Sequence, residues 1–168
     1  FRKTVGAKWP RIMALIAFLW GAVLIGFLTF FPAAIEGGGG SRRVAGLTVA
    51  LYGVTIALTS RPARYLVARI SRAKSLALGA LIGAIGLLIA AISSSVVTIA
   101  VATVLVSTGF ALAHPLIQQW ATIVMPRYRA TAVGLFATSL FIGTAVTTQA
   151  VAPLVGIIGF SWVFAIGS

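Results

Sequence analysis

Four long runs without a charged residue dominate the chain: Ile12 to Ile35, Val44 to Ser60, Ser75 to Pro126 and Ala130 to Ser168. A helix crosses the roughly 30 Å hydrocarbon core of a bilayer in about 20 residues. The first two runs hold one crossing each. The third, as a single helix, would reach about 78 Å, so it must break, and Ser93-Ser94-Ser95 is the natural place. The fourth contains Pro153, read as a tight loop. The pattern therefore predicts six spans, at about 12–32, 44–60, 75–92, 96–124, 130–150 and 154–168. Pro32 and the run Glu36 to Ser41 (EGGGGS) are read as a native flexible loop. Arg61 to Lys74 is read as a basic loop. The last span is about 22 Å long, which predicts a truncated helix and a fragment of a larger protein.

Composition agrees with the pattern. Hydrophobic residues make up 60% of the chain, charged residues only 8%, and the mean hydropathy is +1.11. A soluble domain carries about a quarter charged residues. The expected fold class is all-α integral membrane, one six-helix domain over residues 1–168. A secretory signal would be basic and then apolar for only 7–15 residues, whereas the apolar run from Ile12 to Pro32 is long enough to span.

A net charge of +12 suggests nucleic acid only until its distribution is read. The cations sit in short clusters between apolar runs, as in the loops of a membrane protein, and no soluble face is left to hold a duplex. Four (Arg2, Lys3, Lys8, Arg11) precede the first span. Five (Arg61, Arg64, Arg69, Arg72, Lys74) lie between spans two and three, and Arg127 and Arg129 lie between four and five. Alternating spans put all 11 on one side, against Arg42 and Arg43 with Glu36 on the other. Cytoplasmic loops collect Lys and Arg, so the N-terminus is expected in the cytoplasm of a multi-pass protein of the cell (inner or plasma) membrane. There is no Cys, and one His and one acidic residue leave no metal cluster, carboxylate pair or triad. No cofactor and no enzymatic chemistry are expected.

Three stretches carry a resemblance. Arg64-Tyr-Leu-Val-Ala68-Arg69-Ile-Ser71-Arg72-Ala-Lys74 is similar to the loop signature G-x-x-x-D-R-x-G-R-R, with Arg64 at the first Gly, Ala68 at the Asp and Ser71 at the second Gly. Gly109-Phe-Ala-Leu-Ala-His114-Pro115 leads to Pro126-Arg127 and Arg129-Ala-Thr-Ala-Val-Gly134, and Gly143 leads to Pro153-Leu-Val-Gly156. With six spans and a cytoplasmic start, the set resembles the C-terminal half of a major facilitator superfamily transporter. The resemblance implies helices seven to twelve of two six-helix halves that rock around a central site. The partners it implies are the bilayer, a small-molecule substrate and a missing N-terminal six-helix half.

His114 is the one ionisable side chain well inside a span, and such a group is a functional hypothesis by default. The alternative is a neutral His hydrogen-bonded near the kink at Pro115, where the helix has a freed carbonyl. Gln118 lies on the same face at i+4, beside Gln119, and its amide either meets substrate or joins helices. Trp20, Gly21, Leu24, Phe27 and Phe31 recur at helical spacing, either lining an amphiphile-accepting cavity, as the resemblance implies, or packing. Tyr52 and Thr55, and Thr138, Ser139 and Phe141, are similar cases. The candidate cavity set is His114, Gln118, Trp20, Phe27, Tyr52 and Thr138. The cluster Arg64, Arg69, Arg72 and Lys74 is read as orienting and structural rather than substrate-binding. The expected function is a secondary active transporter, half of one, effluxing small organic or drug-like solutes by alternating access, with proton coupling open. The alternative is a non-transporting anchor, assembly or lipid-handling module with the same fold.

Overall fold

The computed structural model describes residues 8–168, so Arg2 and Lys3 of the first basic cluster lie outside the described residues. Among the described residues, five helices are long and apolar enough to cross a membrane. We label them α1 (Lys8–Gly37), α2 (Arg42–Arg69), α3 (Arg72–Ile92), α4 (Val96–Val124) and α5 (Arg129–Gly167).

Serine caps start three of them. The Ser41, Ser71 and Ser95 side chains accept from the backbone N–H of Val44, Lys74 and Thr98, at 3.4, 3.3 and 3.2 Å, satisfying donors that a helix start leaves without partners. The break at Ser93–Ser95 separates α3 from α4.

Three loop expectations are corrected. The Arg61–Lys74 stretch is not a loop: α2 stays helical to Arg69, and only Ile70 and Ser71 separate it from α3. Pro62 lies inside α2 without ending it, since membrane helices tolerate proline where neighbours re-satisfy the freed backbone. Pro32 sits in the first turn of Phe31–Gly37, where its missing N–H costs nothing. The glycines after it close this helix tightly. Gly39 takes φ +88°, its N–H donates to the Glu36 carbonyl at 3.1 Å, and the Gly40 N–H donates to the Ile35 carbonyl at 2.8 Å. That pair of bonds is a Schellman cap, which needs a residue free to adopt the left-handed region.

Pro153 is also helical. The chain turns instead at Gly159, with φ +76° and ψ 167°. Residues 160–167 then run back as a short helix of about 12 Å, packing Phe160 on Gly37, Phe164 on Phe31 and Gly167 on Phe27. A sixth membrane-length helix is not present among the described residues.

Small residues set the helix spacing. The widest interface joins α3 and α4. A Cβ on Gly109 would meet the Gly79 carbonyl and lie 2.9 Å from the Gly83 nitrogen, so the two backbones touch, as small-residue motifs permit. α1 crosses α5 in the same way, Gly21 against the Leu140 carbonyl and Gly143 against the Phe18 carbonyl. There the Thr144 hydroxyl donates to the Gly21 carbonyl at 3.1 Å. Gly21–Ile25 is a π turn, a feature that concentrates at functional sites.

Two apolar clusters fill the bundle. Phe31, Ile35, Leu87, Ile99 and Phe164 pack at the end bearing Gly38, while Met13, Ala17, Ile117, Ala121 and Phe136 pack at the end bearing Arg69.

Candidate functional site

Between these clusters four helices bring aromatic rings together around Phe110 of α4. The His114 ring, one turn along the same helix, stacks on it at 4.2 Å between centroids and 16° between planes. Trp20 of α1 stacks at 6.4 Å and 29°, and Tyr52 of α2 leans in at 6.0 Å and 57°. Phe136 of α5 tilts against His114 at 5.4 Å. The separations of 5.4 to 6.4 Å suit aromatic pairing, worth about 0.5–1.5 kcal/mol per pair beyond the area buried, and the His114 stack is closer still. α3 contributes no ring to this cluster.

Trp20 is the residue immediately before the π turn, so the irregular backbone and the ring cluster meet at one point of α1. On α4, Pro115 follows His114 and cannot donate to the Ala111 carbonyl. Both helices thus depart from a regular ladder beside the rings.

The polar atoms of the cluster are few. Trp20 Nε1 and His114 Nδ1 are buried and have no hydrogen-bond partner. A tryptophan N–H can only donate, so it asks for an acceptor that the described residues do not supply. Leaving a buried polar group unpaired costs about 1–3 kcal/mol.

Tyr52 joins the cluster to a cavity of about 320 Å³ between α1, α2 and α4, lined by Ile25, Leu28, Phe31, Thr48 and Thr103 among others. The Thr48 and Thr103 hydroxyls donate to the carbonyls of Val44 and Ile99 in their own helices, at 3.0 and 2.8 Å. The cavity is apolar, and its volume lies within the range of small-molecule sites, about 300–1,000 Å³.

Of the candidate set, Trp20, Tyr52 and His114 come together. Gln118 follows His114 by one turn but is exposed, as is Thr138. Thr138 is two residues beyond Phe136, some 200° around the helix, and so lies away from the rings. Phe27 is buried in the core, with the backbone of Gly167 against its ring. Arg64, Arg69, Arg72 and Lys74 are all exposed at one end. Phe110 and Phe136 were not among the expected residues. The i, i+4 spacing of Phe110 and His114 would have pointed to Phe110, whereas no local signal marks Phe136.

Residues 12–168 match the family model of the Major Facilitator Superfamily. The match covers nearly the whole chain, spans included. The chain belongs to the Major Facilitator Superfamily. It is an α-helical, multi-pass membrane protein and a transporter of the major facilitator type. Neither the curated proteins nor the solved structures yield a match. In this major facilitator chain, the ring cluster and its cavity draw on α1, α2, α4 and α5, while α3 stands behind α4 and supports it.

Proposed function

We propose that the chain forms one wall of the translocation cavity of an exporter of small organic, aromatic or amphiphilic solutes, completed by a six-helix half outside this chain and working by alternating access in the cell membrane. The carrying observation is the ring cluster, where Trp20, Tyr52, Phe110 and His114 meet beside an apolar cavity with no charged side chain in its lining. Flat rings suit a planar apolar solute, and the unpartnered Trp20 N–H suits one acceptor on it. A sugar would need many more hydrogen-bonding groups than the site offers. Rocking of two halves around a fixed site is how such transporters work, and the π turn beside Trp20 supplies a discontinuity in α1 for that motion.

Proton coupling through a carboxylate would have to use residues outside this chain's spans. The sequence has one acidic residue, Glu36, and it stands at the end of α1, paired with Arg42 at 3.7 Å. The surplus of cations at the Arg69 end supports a cytoplasmic setting for that end.

Efflux of a planar fluorescent dye from cells expressing the transporter tests this reading. His114→Ala and Trp20→Ala should each slow efflux at least tenfold with normal membrane levels. Unchanged efflux in the double variant, or faster transport of a sugar than of the dye, would refute it.

A further inference from the structure

α2 is longer than a bilayer core requires. Its 28 residues extend about 42 Å, against a hydrocarbon thickness of roughly 30 Å. Arg42 and Arg64 are separated by about 33 Å along this helix, slightly more than the hydrocarbon thickness. With Arg42 at one face of the bilayer, that length lets the Arg64 side chain reach the headgroups of the other.

At that level α2 and α4 part, leaving a cleft of about 520 Å³. From α2 come Ser60, Ala63 and Arg64, and from α4 come Leu112, Leu116 and Gln119. The cleft has one cation and neutral polar groups at its rim, with an aliphatic floor. The only acidic side chain in the sequence, Glu36, pairs with Arg42 at the opposite end. Arg64 consequently has no acidic side chain within the chain to neutralise it.

We propose that this cleft binds one anionic phospholipid from the surrounding bilayer. The guanidinium of Arg64 donates to the phosphate, with its forked N–H groups matched to two oxygens. Gln119 supplies a further donor at the rim. One acyl chain descends over Leu116 and Leu112, toward the middle of the bilayer. A free phosphate would meet the charge and leave the aliphatic floor empty. A zwitterionic lipid would fill the floor and bring a cation of its own to Arg64. Only a lipid that is both anionic and chain-bearing matches both parts of the cleft.

Native mass spectrometry on the delipidated full chain tests this, with dioleoyl phosphatidylglycerol as the probe and dioleoyl phosphatidylcholine as its zwitterionic counterpart. Phosphatidylglycerol should occupy one site at least fivefold more tightly than phosphatidylcholine, and inorganic phosphate should not displace it. Arg64→Gln should weaken it about fivefold, equivalent to about 1 kcal/mol for one basic residue at the membrane surface. Leu116→Trp, which fills the floor and keeps the charge, should weaken it as well. Arg72→Gln removes the same charge from the same end, outside the cleft, and should change affinity less than twofold. If Leu116→Trp fails to fold by gel filtration, Ala68→Trp, on an exposed lining residue, takes its place. Equal losses in Arg64→Gln and Arg72→Gln would overturn the site in favour of diffuse attraction. Displacement by inorganic phosphate, equal binding of the two lipids, or full affinity in the cleft-filling variant would overturn it too.

Discussion

Phe110→Leu removes the ring at the middle of the candidate site and leaves an aliphatic side chain in its place. Three ring contacts disappear: His114 at 4.2 Å, Tyr52 at 6.0 Å and Trp20 at 6.4 Å. The first is close and nearly parallel, and we assign it about 1 kcal/mol; the other two are more distant and take about 0.5 kcal/mol each, within the range for aromatic pairs. The variant should therefore unfold about 2 kcal/mol more easily in mixed micelles. A double-mutant cycle isolates the stacking part. Phe110→Leu combined with His114→Ala should show a coupling of about 1 kcal/mol. Combined with Val101→Ala, on an exposed position of α4, it should be additive within about 0.3–0.5 kcal/mol. Coupling to His114 no larger than coupling to Val101 would refute the reasoning, because the stack would then be proximity without energy.

Two further outcomes follow from the fold. Gly109→Ala drives a Cβ into the backbone of α3 at Gly79 and Gly83, where no flexible side chain can yield; thermal unfolding in detergent should show a loss of about 1–3 kcal/mol or more. Gly53→Ala meets nothing within 4 Å and should be neutral or stabilising by up to about 1 kcal/mol, so equal losses at the two positions would contradict the packing described. For orientation, Arg43→Cys and Ala73→Cys, introduced singly into a chain with no cysteine, should label from outside intact cells at position 43 and stay protected at 73; the reverse pattern would invert the topology.

The apolar runs were enough to show a helical membrane protein, because in lipid a backbone must satisfy its own hydrogen bonds and an uncharged run of sufficient length has one solution. The turn at Ser93–Ser95 was legible for the same reason, since a 52-residue run cannot stay one helix across a bilayer. Local chemistry misled where proline and charge were taken to end helices. Arg61 to Arg69 continue α2 because arginine, alanine and leucine are good helix formers, and Pro153 is carried within α5 while the turn falls at Gly159. Gly79 and Gly83 stand four apart in the sequence, yet only their contact with Gly109 shows that they set a helix spacing. His114, Trp20 and Tyr52 stood out one by one as polar or aromatic groups in apolar runs. Their meeting, and the place of Phe110 and Phe136 among them, depends on how four helices rotate and cross. That is decided by backbone contacts at residues such as Gly21 and Gly143, 122 positions apart in the chain, which no local periodicity encodes.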